Sequence, residues 1–134
     1  MLYKDKLTEK IVQKWIDENP TSFCESLGEG YTYVRSQYKI KIGANYNYID
    51  ILLFNVMDMN YVVVEIKVTE LKKEHIGQIQ TYMNYVDVNL RKEFHNKTTG
   101  VLLLRENNKW LIKYVNSDNI TIRNFVTDNE KMIV

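Results

Sequence analysis

Two short apolar segments of this chain carry charged residues at positions where a buried strand normally has none. Residues 48–54 read YIDILLF, and residues 62–67 read VVVEIK. Their apolar character predicts two buried β-strands, and because side chains alternate along a strand, Glu65 and Lys67 project from the same face. If the two strands pair as a hairpin, Asp50 reaches the same place from the neighbouring strand. Isolated buried charges are costly and persist when they are paired or bind a metal ion, so this pattern indicates a functional site.

The rest of the sequence predicts a single domain, residues 1–134, with an α/β fold (an α+β mixed sheet) flanked by helices. Apolar residues recur with helical spacing in three segments and follow strand patterns in six others. The predicted helices are 7–17, 20–27 and 71–90, and the predicted strands are 31–42, 48–55, 61–67, 99–104, 110–115 and 120–125. The first three strands form a meander, the third helix is a crossover, and the fourth strand returns parallel to the third.

Several segments, taken in order, resemble the PD-(D/E)XK nuclease superfamily and are most similar to the nuclease domain of the YhcG-like family. The segments are 23–37, 48–54, 64–67, 77–82, 85–87 and 99–104. Asp50, Glu65 and Lys67 match the charged residues of the superfamily's catalytic motif. The resemblance implies a restriction-endonuclease-like core, whose order of elements is the one that the periodicity predicts.

Asp50 and Glu65 are the predicted metal ligands. Mg²⁺ is a hard cation that binds oxygen ligands and usually needs only one or two protein carboxylates, and Mn²⁺ is the expected substitute. By resemblance, the backbone carbonyl of Ile66 is a further ligand, and Lys67 orients or deprotonates the attacking water. The alternative interpretation makes Asp50 a surface residue at a strand end and Glu65 the partner of a lysine.

A second set of predicted catalytic residues lies on the crossover helix. Gln78 and Tyr82 are four residues apart and therefore share one helix face. They resemble a Q-x-x-x-Y element that some nucleases of this superfamily place beside the metal. Both are expected to face the charged cluster, whereas Ile79, Met83 and Val86 face the core. The alternative is a polar and aromatic helix edge that packs on the rim of the sheet.

The helical glutamate of the superfamily is displaced in this sequence. Ser26 stands where YhcG-like sequences have a glutamate, and Glu25 precedes it. A one-residue offset rotates a helical side chain by about 100°. Either Glu25 takes the metal-binding role through a local shift, or that contribution is missing.

The net charge of +1 does not predict tight DNA binding through bulk charge. Candidate phosphate contacts are therefore individual basic side chains interleaved with tyrosines, which solvated strand and helix faces also explain. They are Arg35, Lys39, Lys41, Lys72, Lys73 and Arg91. No apolar run approaches the ~20 residues of a membrane helix, and the first residues lack a secretory leader, so a cytoplasmic protein without membrane contact is expected.

These features predict a magnesium-dependent nuclease, an endonuclease rather than an exonuclease, that acts on DNA in recombination, repair, defence or a mobile element. One alternative is a nuclease-fold module that binds nucleic acid or protein without catalysis, and another is a structural domain with a buried charge pair. Because one site cuts one strand, a homodimer is expected to supply a second site. Its candidate surface lies at the C-terminal strands and tail, at Ile120, Ile122, Phe125 and residues 132–134.

Overall fold

The computed structural model describes residues 7–105, 119–128 and 131–133. The elements are the helices α1 (Glu9–Glu18), α2 (Pro20–Leu27) and α3 (Lys73–Asn89), and the strands β1 (Tyr31–Ile42), β2 (Asn45–Asn55), β3 (Asn60–Lys67), β4 (Thr99–Arg105), β5 (Ile120–Asp128) and β6 (Lys131–Ile133). Each helix and strand predicted within these residues is present, with ends that differ by a few residues. The predicted strand 110–115 lies outside the described residues, and β6 lies where the sequence predicts only an apolar tail. No helix in the described ranges is long and apolar enough to cross a membrane.

The described strands form one sheet in the order β1-β2-β3-β4-β5-β6. β1, β2 and β3 are antiparallel neighbours, β4 and β5 run parallel to β3, and β6 is antiparallel to β5. The parallel pairing of β3 with β4 requires a crossover connection, which α3 provides. The predicted meander, crossover helix and return strand are therefore confirmed, in a mixed sheet with flanking helices.

Local sequence accounts for several element boundaries. Thr8 begins α1 because its side chain accepts a hydrogen bond from a backbone N–H of the first turn. Pro20 suits the first turn of α2, where no backbone N–H is needed. β2 begins earlier than predicted because Gly43, with φ of +62°, allows a tight turn in which Ile42 pairs with Asn45.

Helices cover both faces of the sheet, and the buried residues of the described ranges form two clusters. Val64 and Ile66 of β3 belong to the cluster under α1 and α2, whereas Val63 belongs to the cluster under α3. Glu65 and Lys67 alternate in step with Val63, so they lie on the α3 face of the sheet. The two charged residues of β3 therefore share one side, as the sequence predicts.

Part of the predicted dimer surface is buried within the chain itself. Ile120 is 7% exposed and Phe125 is 2% exposed, and the two side chains lie in opposite layers of the core. Their assignment to a free surface was therefore wrong, because both stabilise the folded monomer. Ile122 is half-buried, and the side chains of residues 132–134 lie outside the described part. The homodimer itself stays a prediction.

Candidate active site

β2 and β3 separate where their charged residues lie. Regular pairing of the two strands ends at Ile51 and Val64. Beyond it, the backbone N–H of Asp50 donates to Glu65 Oε2 at 2.9 Å, and the backbone N–H of Ile66 donates to Asp50 Oδ2 at 2.8 Å. Each carboxylate is thus fixed by the backbone of the opposite strand. The site lies between interior strands of the sheet, because β2 and β3 each have a neighbouring strand on both sides.

An irregularity in β2 directs Asp50 into the gap between the strands. Ile49 packs in the cluster under α3, whereas Ile51 packs in the cluster under α1 and α2. Residues two apart on a regular strand face the same side, so the alternation of side chains along β2 is interrupted at Asp50. The Asp50 side chain therefore lies between the two faces of the sheet, within reach of the Ile66 N–H on β3.

The carboxylate pair concentrates negative charge in a buried place. Glu65 is 3% exposed. Burial raises the pKa of the Glu65 carboxyl well above its usual range, the charge of Asp50 raises it further, and Lys67 acts in the opposite direction. A bound cation would relieve this cost, and carboxylate oxygens are the ligands that hard divalent cations prefer. The donor set therefore fits Mg²⁺ or Mn²⁺.

α3 brings Tyr82 close to this pair. Tyr82 is 4% exposed, and its hydroxyl lies 3.5 Å from Asn47 Oδ1. Burial raises the pKa of the Tyr82 phenol, the charges of Glu65 and Asp50 raise it further, and a hydrogen bond with Gln78 lowers it. Gln78 is exposed at the surface of α3. The residues predicted to face the core are all buried, namely Ile79, Met83 and Val86.

α1 supplies polar groups near the site that the sequence reasoning missed. Glu9 Oε2 accepts a hydrogen bond from the Val68 backbone N–H at 3.0 Å, immediately after Lys67. Gln13 lies four residues later on the same helix face, is 9% exposed, and accepts a hydrogen bond from Gln37 Nε2 at 2.9 Å. Polar residues spaced four apart on the apolar side of an amphipathic helix were the available sequence signal.

Glu25 does not join the site. It is exposed, because the buried face of α2 is formed by neighbours that include Cys24 and Leu27. The end of α2 is instead tied to β5, where Arg123 donates to the carbonyl oxygens of Ser26 and Leu27 at 2.8 Å each. Among the described residues, no group of three or more His, Cys, Asp and Glu side chains could hold a metal ion. Of the two alternatives for Glu25, the structure therefore favours the second, in which the contribution of the helical glutamate is missing.

An open cleft of about 740 Å³ lies beside Asp50, between α1 and the strands. Gln37 and Asp50 line it from the sheet, and Lys10 and Lys14 line it from α1. Both lysines are exposed. Glu9 and Asp17 also line it, so the cleft combines three carboxylates, one of them from the Asp50–Glu65 pair, with two basic side chains.

The basic residues predicted to contact nucleic acid lie outside the lining of this cleft. Five of the six are exposed, and Arg91 is half-buried; the exposed ones are Arg35, Lys39, Lys41, Lys72 and Lys73. Lys39 Nζ lies 4.2 Å from the centroid of the Tyr46 ring, a cation–π distance. The backbone N–H of Lys72 donates to His75 Nδ1 at 3.0 Å at the start of α3. Contact of these side chains with phosphate stays a prediction.

The mixed sheet and its charged residues place this chain among nuclease domains of the PD-(D/E)XK type. Residues 1–132 match the family model described as the YhcG PDDEXK nuclease domain. The chain belongs to this family.

Similar proteins agree with this assignment. The curated "Putative nuclease YhcG" of Escherichia coli (strain K12) is 24% identical over 103 residues, which are 77% of this chain and 28% of that protein. A repair endonuclease from Pyrococcus abyssi has a TM-score of 0.57 at 20% identity, covering 89% of this chain and 47% of that chain. An EndoMS–dsDNA2 complex has a TM-score of 0.57 at 22% identity, covering 87% of this chain and 44% of that chain. The structural likeness shows a restriction-endonuclease-like fold, and this chain spans less than half the length of each of these relatives.

Proposed function

We propose that this domain is a divalent-cation-dependent nuclease that hydrolyses phosphodiester bonds in DNA, as an endonuclease rather than an exonuclease. The supporting observation is the pair formed by the half-buried Asp50 and the buried Glu65, in which a backbone N–H of the opposite strand holds each carboxylate. Two fixed, mutually repelling carboxylates suit Mg²⁺, with Mn²⁺ as a substitute. Membership of a nuclease-domain family supports the same chemistry.

The residues at the strand separation have distinct roles in this function. Asp50 and Glu65, with the backbone carbonyl of Ile66, hold the cation. When bound, the cation would supply Lewis-acid stabilisation of the charge that grows on the phosphate oxygens. Lys67 follows Glu65 by two residues on the same face of β3, where its ammonium can hold the scissile phosphate or orient the attacking water.

Tyr82 and Gln78 act as hydrogen-bonding groups. Because the pKa of Tyr82 is raised, its phenol stays protonated at neutral pH and acts as a donor rather than a base. The exposed Gln78 amide lies one helical turn earlier, where it can contact a phosphate oxygen or a water molecule. Their expected contribution is therefore to orientation rather than to proton transfer.

The cleft beside Asp50 is the proposed path of the DNA backbone. DNA is the proposed substrate because one structural relative is a complex with dsDNA. Lys10 and Lys14 line the cleft four residues apart on α1, so they can contact neighbouring phosphates. Further backbone contacts are assigned to four other exposed basic residues, Arg35, Lys39, Lys72 and Lys73.

A nuclease-fold module that binds nucleic acid or protein without cutting is the second candidate. One observation favours it: within the described ranges, no third acidic, histidine or cysteine side chain joins Asp50 and Glu65 in a metal-binding group. Cation-dependent cleavage distinguishes the two candidates.

Closed circular DNA is the substrate that tests the proposed activity, because an exonuclease needs an end. Nicked or linear product is expected with Mg²⁺ or Mn²⁺ and is expected to disappear with a chelator. Asp50→Asn should abolish cleavage while folding normally, because its amide oxygen can still accept the Ile66 N–H. Asp58→Asn is the matched control in the exposed β2–β3 turn and should cut like wild type. Cleavage that survives Asp50→Asn would refute this site, and cation binding without cleavage would favour the binding module.

A further inference from the structure

Gln37 has a backbone conformation that is unusual for a residue other than glycine. Its φ is +47°, in the left-handed region, within the otherwise extended strand β1. In the described part of the chain, Met59 with φ of +52° is the other such residue. Glutamine has no intrinsic preference for this region, and the surrounding structure has to maintain it.

The conformation occurs opposite the irregular part of β2. Ser36 pairs with Ile51 and Tyr38 pairs with Ile49. Gln37 therefore lies opposite Asp50, where the side-chain alternation of β2 is interrupted. At regular positions of β1, side chains alternate between the two layers of the core. The Gln37 amide is instead directed along the sheet towards the carboxylate of β2 and towards α1.

The Gln37 amide connects Asp50 to α1 through hydrogen bonds. Its Nε2 donates to Gln13 Oε1 at 2.9 Å and lies 3.4 Å from Asp50 Oδ1. Gln13 is itself held, because its Nε2 donates to Asp17 Oδ1 at 3.0 Å. Asp17 also accepts a hydrogen bond from the Ser36 hydroxyl. This chain of donors keeps an N–H group of Gln37, rather than its carbonyl oxygen, directed at Asp50.

We propose that Gln37, supported by Gln13, is a positioning residue for the cation ligand Asp50. The Ile66 N–H holds Asp50 Oδ2, and the Gln37 amide holds Oδ1; Gln37 and Asp50 both line the cleft. Together they fix both oxygens of the carboxylate before the cation binds. This role rests on the proposed function, because it takes Asp50 as a cation ligand. Removing the hydrogen-bonding partner of a metal ligand typically weakens metal affinity by about 10–100-fold.

Gln37→Gly is the decisive variant, because it deletes the amide while glycine adopts a positive φ freely. Its melting temperature should not fall, yet calorimetric titration with Mn²⁺ should show an affinity about 10–100-fold weaker than wild type. Met59→Gly is the matched control: it relieves the same kind of backbone conformation in the β2–β3 turn and should leave Mn²⁺ affinity unchanged. Gln13→Ala should weaken Mn²⁺ binding in the same direction and add little to Gln37→Gly, since both act through one chain of hydrogen bonds.

The outcomes separate this role from the function on which it rests. Unchanged Mn²⁺ affinity in a folded Gln37→Gly variant would overturn the role of Gln37 alone. Wild-type protein that binds no divalent cation would overturn the role and the proposed function together. If Gln37→Gly did not fold, Gln13→Ala would test the positioning role of Gln37. Weaker Mn²⁺ binding by Gln13→Ala would support that role, and unchanged binding would overturn it.

Discussion

Replacing Glu65 by glutamine should change how the stability of the cation-free protein depends on pH. Burial and the charge of Asp50 raise the pKa of Glu65 above its ordinary value of 4.5. Between that value and the folded-state pKa, the folded protein binds a proton that the unfolded chain has released. The free energy of unfolding therefore falls as pH rises through this window, and the loss is complete above the folded-state pKa.

The size of this pH effect on the free energy of unfolding follows from the one proton by which the folded and unfolded states differ. One proton changes the free energy of unfolding by at most about 1.4 kcal/mol for each pH unit within the window. The Glu65→Gln variant cannot titrate there, yet its amide oxygen can still accept the Asp50 N–H. The variant should therefore be more stable than wild type near neutral pH, and the difference should shrink towards pH 4.5. For a chain of this size, 1 kcal/mol corresponds to a shift in Tm of roughly 3–6 °C.

Denaturant unfolding followed by circular dichroism, in chelator and across this pH range, measures the effect. The quantity of interest is the difference between wild type and variant, in which the contributions of titrating groups that do not interact with Glu65 cancel. Glu25→Gln, at an exposed position of α2, is the control and should leave the pH dependence unchanged. Parallel pH profiles for wild type and Glu65→Gln would refute the claim that Glu65 is a buried carboxylate repelled by Asp50.

Three further predictions concern α3, the cleft and the assembly. Met83→Ala should lower the free energy of unfolding by about 2–5 kcal/mol because Met83 is buried. Gln78→Ala should instead reduce turnover and change the free energy of unfolding by less than about 0.5 kcal/mol. Equal losses of stability in the two variants would show that Gln78 has a structural role. Fluorescence anisotropy measures how the DNA-binding constant depends on salt concentration. Replacing Lys10 and Lys14 by alanine should reduce the slope of the logarithm of that constant against the logarithm of salt concentration by about two, and the control Lys92→Ala should leave the slope unchanged. An unaltered slope in the double variant would exclude phosphate contact in the cleft. Light scattering should give twice the chain mass of 16.0 kDa, and a monomer that still makes double-strand breaks would rule out the dimer.

Local periodicity was enough to predict the layers of the fold. Strand alternation places Glu65 and Lys67 on one face of β3. Spacings of three and four place Ile79, Met83 and Val86 on one side of α3, where the structure finds them buried. These predictions succeed because they depend on the geometry of a single element.

Relations between elements could not be predicted in this way. The interruption of side-chain alternation at Asp50 arises because Ile49 and Ile51 pack in different core layers. The two isoleucines are equally apolar, so the sequence does not show which layer each one joins. The left-handed conformation of Gln37 has no local signal, because glutamine does not favour it. Whether Glu25 replaces the helical glutamate was left open by the sequence, and the packing of α2 turns it towards solvent. Glu9 and Gln13 gain their importance only when α1 packs against the end of β3 and the middle of β1.

Anomalous diffraction from crystals containing Mn²⁺ tests the central claim most directly. Paired carboxylates at the strand separation should produce one dominant manganese peak between Asp50 and Glu65, on the side of the cleft. The peak should disappear in Asp50→Asn crystals grown under the same conditions and persist in the Asp58→Asn control. A dominant peak elsewhere on the domain, or none at a Mn²⁺ concentration that supports DNA cleavage, would contradict the assignment of this pair as the cation site.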